Sequence, residues 1–118
     1  MRNAYRIIPP ESLIAKVGPG DYVTIGYEFF HYLVAIGGLR PDAAVLEVGC
    51  GCGRMAVPLS RYIKSGSYEG FDVDREAITW CQENISPNHP NFRFRHLDIY
   101  NAHYNPTGKI KASELSFE

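Results

Sequence analysis

The chain has 118 residues, enough for one domain with a core of its own and too few for two. Hydrophobic residues make up 45% and charged residues 21%, an ordinary globular mixture that excludes disorder as the default. Basic and acidic side chains number 12 and 13, leaving a net charge of -1. With no basic stripe, a dedicated nucleic-acid surface is not expected, although a nucleic acid remains possible as a substrate.

The first residues, Met1 to Arg6, contain neither an apolar signal core nor a small-residue cleavage site. Pro9-Pro10 then opens a short helix over Glu11 to Val17, which Gly18-Pro19-Gly20 ends. A second helix is expected over Asp21 to Ile36, with apolar spacing at Val23, Phe29, Phe30, Leu33 and Val34 and a stop at Gly37-Gly38. The apolar stretch from Phe29 to Leu39 contains His31 and two glycines and is too short to span a bilayer. The expectation is a cytoplasmic protein with no membrane partner.

Ala43 to Val48 is short, apolar and closed by glycine, the composition of a parallel strand buried on both faces. A helix over Arg54 to Ile63 follows, and Pro58 within it is expected to kink it. Ser67 to Asp72 reads as the second strand. Arg75 to Asn84 reads as a helix capped by Asp74, with Ile78, Cys81 and Ile85 on one face. Pro87 and Pro90 close a loop before a third strand over Phe92 to Leu97, whose Phe-Arg alternation suits an edge with one wet face. Beyond Asp98 the pattern becomes a turn-rich loop around Tyr104 to Gly108.

Strands alternating with helices predict an α/β fold, a Rossmann-like, doubly wound parallel sheet with right-handed crossovers. About three strands can be placed, so the sheet is incomplete. The division expected is an N-terminal helical segment, 1–42, and a ligand-binding unit, 43–118.

Three cysteines, Cys50, Cys52 and Cys81, make a poor disulfide framework and lack the spacing of a zinc site. They read as packing residues in a reducing compartment, and no metal is expected. The histidines at 31, 89, 96 and 103 show no ligand spacing. Tyr22 and Tyr27 can cover a ligand from the N-terminal helix, with core packing the plainer account.

In an open parallel sheet, ligands lie beyond the carboxyl ends of the strands. Three segments of this chain meet there. Glu47 ends strand one, where it can attract an ammonium. Gly49, Gly51 and Gly53 follow it, interleaved with Cys50 and Cys52, and remove every second Cβ as the chain turns out of the sheet. Glycine there accepts a positive φ and lets a ligand touch the backbone. The free N–H groups of the next helix favour an anionic group such as a carboxylate. A pocket offering both suits the amino-acid end of a zwitterion and points to S-adenosylmethionine. A dinucleotide fingerprint needs glycine or alanine three residues after the second glycine, where this chain has Arg54. Asp72, about twenty residues beyond the loop, is placed to accept both hydroxyls of a ribose. Asp98 is placed to accept from an adenine amino group, and Val73 and Ile99 to sandwich the ring. The plainer account of Asp98 is a loop-start aspartate bonding its own backbone.

The stretches Val45 to Arg54, Tyr68 to Asp74 and Phe92 to Asp98 resemble the first half of a class I S-adenosylmethionine-dependent methyltransferase, of the type 11/12-like group. The resemblance implies that Glu47 and the glycines hold the methionyl end, Asp72 the ribose and Asp98 the adenine. It also implies a larger sheet with strand one in its interior, flanked by strands two and four. The sequence stops about where strand four is expected, so strand one should become an edge and the 118-residue chain a homo-oligomer. The expected activity is methyl transfer to an unidentified acceptor, with this chain as the cofactor-binding half and no catalytic residue assigned. The alternatives are a domain binding an NAD-type nucleotide and a non-catalytic assembly module.

Overall fold

Consecutive parallel pairing organises the chain. In the computed structural model, which describes residues 7–117, β1 (Ala44–Val48), β2 (Ser67–Asp72) and β3 (Phe92–His96) form one sheet in the order β1-β2-β3. Met1 to Arg6, read above for targeting, and Glu118 lie outside the described residues. Four α-helices accompany the strands: α1 (Glu11–Ile14), α2 (Tyr22–Ala35), α3 (Ala56–Ser60) and α4 (Arg75–Asn84). The α/β alternation expected from the sequence is therefore present.

Register fixes which side chains share a face. Val45 lies opposite Tyr68 and Tyr68 opposite Phe92, followed by Glu47, Gly70 and Phe94 along the same face. Strands that advance in one direction through right-handed crossovers carry their helices on one side. Accordingly Val57 and Leu59 of α3 and Ile78 and Cys81 of α4 enclose Tyr68, Phe92 and Phe94 in a single core. The opposite face holds Leu46, Val48 and an ion pair between Arg95 Nη1 and Glu69 Oε2 at 2.9 Å. Phe71 on that face is covered by Phe117, their rings stacked 5.2 Å apart.

β1 corrects one expectation. Its apolar sequence suggests burial on both faces, yet Leu46 is 45% and Val48 72% exposed. Among the described residues the strand is an edge, and no helix covers its second face. The other edge is finished differently. On β3 the outward carbonyl of Phe92 accepts from Ser86 Oγ at 2.7 Å, and that of Phe94 from Gln82 Nε2 at 2.8 Å. Its Phe-Arg alternation places Phe92 and Phe94 inside and Arg93 and Arg95 outside, as read.

The helices differ in detail from their sequence limits. α1 stops at Ile14, three residues early, and relaxes into turns through Val17. α2 is capped by Asp21, whose side chain accepts from the Thr24 N–H at 2.9 Å. Its buried positions are Tyr22 and Gly26, while Val23, Phe29 and Leu33 of the expected apolar stripe are exposed. α2 approaches so closely at Gly26 that a Cβ there would run into the Arg54 carbonyl oxygen. α3 starts at Ala56, so Pro58 falls in its first turn, where the missing N–H has no helical partner to lose. No kink is required. No helix among the described residues is long and apolar enough to cross a membrane.

Candidate functional site

The three strands deliver their carboxyl ends to one side of the molecule, and each expected residue is found there. Glu47, next to last in β1, is half-buried, with its Oε1 accepting from Tyr68 Oη at 2.6 Å. Burial pushes its carboxyl up to about 7 from an ordinary 4.5; the Tyr68 hydrogen bond and the Arg54 charge oppose that rise, and Asp72 adds to it. A carboxylate in this position is stabilised by a cation brought beside it.

The glycine loop follows, with Gly49, Gly51 and Gly53 all at positive φ (74°, 54° and 86°). The local reason is tight: the Gly49 and Cys50 N–H groups both donate to the Phe71 carbonyl, at 2.9 and 3.0 Å, which forces the chain to turn at the sheet edge. The three glycines face different neighbours. Gly49 is exposed, and a Cβ there would meet nothing within 4 Å. A Cβ on Gly51 would stand 2.8 Å from Val17 Cγ1, so the N-terminal segment already leans on the loop. A Cβ on Gly53 would stand 2.8 Å from Ile85 Cδ1 and 3.3 Å from Cys81 Sγ, so this glycine serves the packing of the loop on α4. Open backbone is therefore concentrated at Gly49.

Cys50, Cys52 and Cys81 are buried free thiols beneath this loop. Cys50 Sγ and Cys81 Sγ both point at the Gly51 carbonyl, at 3.7 and 3.6 Å. Burial raises all three thiols, Cys52 to about 11, which keeps them protonated packing groups rather than nucleophiles. Tyr22 packs in the core as expected, donating its hydroxyl to the Cys52 carbonyl at 3.0 Å. Tyr27 accepts from Arg61 Nη1 at 2.8 Å.

Asp72, at the end of β2, reaches back to the loop. Its Oδ2 accepts from the Gly51 N–H at 2.7 Å and its Oδ1 from the Asp74 N–H at 2.9 Å. Each oxygen keeps acceptor capacity after one such bond. Asp74 has the separate role expected of it, capping α4 through the Glu76 and Ala77 N–H groups and pairing with Lys16 at 3.1 Å. At the third strand, Asp98 is tied into its own loop: Oδ1 accepts from Asn105 Nδ2 at 2.9 Å and Oδ2 from the Lys109 N–H at 3.2 Å. The Asn105 bond is the main reason its carboxyl lies below the usual range. Val73 and Ile99, each following one of these aspartates, are half-buried, and the Val73 carbonyl lies 3.1 Å from His96 Nε2.

The loop and Asp72 are thus linked by a direct hydrogen bond, and Glu47 precedes the loop in the chain and feels the Arg54 and Asp72 charges. Asp98 and Ile99 join through the β2–β3 register, where Asp72 faces His96. Sequence reasoning missed Tyr68 as the partner of Glu47, and Val17 as a neighbour of the loop. The first was recoverable, because Tyr68 and Glu47 fall on one face once β1 and β2 are set in register. Two surface hollows lie away from this shelf, one along β3 by Glu69, Arg93 and Arg95 and one between α1 and α4 by Leu13, Glu76 and Trp80. Neither is lined by Glu47 or Asp72.

Known proteins bear on what this arrangement is. The family model described as "Methyltransferase domain" matches residues 45–113, more than half of the chain. A ribosomal RNA small subunit methyltransferase A of Dehalococcoides mccartyi is 29% identical over 99 residues, covering 84% of this chain and 33% of that protein. Putative methyltransferase 235L of Invertebrate iridescent virus 6 is 35% identical over 63 residues, covering 53% of this chain and 22% of that one. An uncharacterized protein of Haemophilus influenzae is 32% identical over 77 residues, covering 65% and 30%. The chain therefore spans about a third or less of the length of these relatives. Among solved structures, coclaurine N-methyltransferase bound to N-methylheliamine and SAH superposes with a TM-score of 0.55 at 16% identity, over 62% of this chain and 21% of that one. At that identity the likeness is one of fold. The match over the strand, glycine loop and following strands that build the site places the chain in the methyltransferase domain family.

Proposed function

We propose that this chain is the cofactor-binding half of an S-adenosylmethionine-dependent methyltransferase whose acceptor is not identified. The observation that carries the reading is what the carboxyl ends bring together: Glu47 held by Tyr68, the open backbone at Gly49, and Asp72 bonded across to Gly51. The residues fit the cofactor on their own chemistry. A half-buried carboxylate awaits a cation, exposed glycine backbone admits close approach, and Asp72 retains acceptor capacity for hydroxyl groups.

When bound, S-adenosylmethionine supplies a methyl group activated by its sulfonium. Glu47 would hold the ammonium and the loop backbone the rest of the methionyl end. Asp72 would accept the ribose hydroxyls. Asp98 would face the adenine amino group, with Val73 and Ile99 on either side of the ring. The protein's share of the acceleration is then largely orientation, a contribution that reaches about 7–11 kcal/mol where two reactants are held in line. An NAD-type ligand has less support, because Arg54 stands where the dinucleotide fingerprint requires a small residue.

Titration calorimetry of the chain with S-adenosylhomocysteine and with NAD tests the reading. Saturable binding of S-adenosylhomocysteine at one site, with NAD weaker or silent, is expected. Tighter binding of NAD, or no binding of S-adenosylhomocysteine, would refute it.

A further inference from the structure

The Tyr68 hydroxyl is buried at the site yet belongs to no expected ligand contact. Tyr68 is 1% exposed, and its ring is stacked on Phe92 at 4.8 Å with only 12° between the planes. The ring lies along the strand over Gly70, where a Cβ would stand 2.5 Å from Oη and 2.9 Å from Cys50 Cβ. Gly70 is therefore the residue that leaves the phenol a path to the end of β1. That path finishes on Glu47 Oε1 at 2.6 Å, short for a hydrogen bond and consistent with a charge-assisted one.

Resting on the function proposed above, we propose that Tyr68 is a positioning residue for the cofactor's ammonium group, acting through Glu47. It fixes one oxygen of the carboxylate and leaves the other free to face the ligand. A stacked, buried phenol has little rotamer freedom, so the carboxylate it holds is ordered before any ligand arrives. The donated hydrogen bond also favours the ionised form that an ammonium needs. Other groups act on Glu47 as well. Arg54 from the glycine loop favours its charge, and Asp72 from the end of β2 opposes it. Burial first, and the Glu47 charge in smaller measure, raise the nearby Tyr22 phenol and the Cys50 and Cys81 thiols, which stay neutral beside it. Tyr68 is the donor hydrogen-bonded to the carboxylate itself.

Tyr68→Phe keeps the ring, the stacking and the volume and removes only the hydroxyl. Two measurements decide the matter. Carboxyl carbon NMR of the ligand-free chain follows the titration of Glu47 directly. Its midpoint should move to higher pH in Tyr68→Phe, and an unmoved midpoint overturns the proposal. Calorimetry with S-adenosylhomocysteine on the wild type, Tyr68→Phe, Glu47→Gln and the double variant completes a cycle. Tyr68→Phe alone should weaken binding about tenfold, the equivalent of one hydrogen bond to a charged group. In the Glu47→Gln background the same change should add nothing. Equal losses in both backgrounds would make Tyr68 a packing residue and end the proposal. If the wild type fails to bind S-adenosylhomocysteine, the function proposed above falls and this role falls with it. If binding is present and the midpoint is unmoved, only the positioning role fails.

Discussion

Replacing Glu47 by Gln should stabilise the ligand-free chain, and only where Glu47 is charged. Burial raises the Glu47 carboxyl from 4.5 to about 7, so the fold disfavours its ionised form. For a raised acid, the cost is absent below the unfolded value and complete above the folded one. The wild type should therefore lose stability as the pH rises from about 4.5 through 7. At about 1.36 kcal/mol per pH unit, the span amounts to about 3 kcal/mol at pH 8 and a few tenths at pH 4.5. Gln is nearly isosteric and keeps an oxygen to accept from Tyr68, so the hydrogen bond at 2.6 Å need not be lost with the charge. Urea denaturation of both proteins at the two pH values measures the difference. Because any packing effect of Gln is common to both conditions, the opening of the gap between pH 4.5 and 8 isolates the titration. A gap that stays constant across this range, or that closes as pH rises, would refute the argument. The same substitution should weaken S-adenosylhomocysteine binding, so that stability and ligand affinity move in opposite directions.

Asp72→Ala strands the Gly51 and Asp74 N–H groups and should cost about 2–4 kcal/mol in chemical denaturation as well as weakening S-adenosylhomocysteine binding; Asp74→Ala should cost about 1 kcal/mol through the lost cap and leave binding intact. Binding lost in Asp74→Ala and kept in Asp72→Ala would reverse the two roles. Gly53→Ala should lower stability by about 2–4 kcal/mol, because its φ is positive and its Cβ would meet Ile85, whereas Gly49→Ala, strained but in open space, should cost about 1–2 kcal/mol. Equal losses at the two glycines, read by thermal melting, would contradict the packing role of Gly53. The 118-residue chain should self-associate through β1, and Val48→Lys, at a site 72% exposed, should shift it to monomer; light scattering behind a sizing column finding only monomer in the wild type at high concentration would count against that pairing.

Much of this architecture is written locally. Asp74 announces a helix start, and the Phe-Arg alternation of β3 announces both its period and its wet face. The glycine loop was legible for the same reason: three positive-φ positions at alternate residues leave few other backbones available. What the sequence concealed was set by tertiary placement. The apolar composition of Ala44–Val48 suggests burial on both faces, and the edge position of β1 was expected from the number of strands rather than from any pattern within the strand. The apolar stripe of α2 misled because Gly26, a residue with no hydrophobic signal, is what lets the helix approach Arg54. The three loop glycines look equivalent in sequence, yet only Gly49 is open, since Val17 and Ile85 occupy the directions from the other two. Tyr68 lies 21 residues from the carboxylate it bonds, and only setting β1 and β2 in register brings the two onto one face.

The two margins of the sheet give it a direction of growth. At β3 the outward carbonyls of Phe92 and Phe94 are already taken by Ser86 and Gln82, so an added strand would have to displace bonds that exist. At β1, among the described residues, no side chain finishes the margin in that way, and Leu46 and Val48 stand exposed beside it. An added strand would therefore pair more readily at β1 than at β3, and it would turn the strand that bears Glu47 from a margin into the interior of the sheet. Whatever completes the margin at β1 would then add to the hold that Tyr68 already has on the group on which the ammonium is to rest.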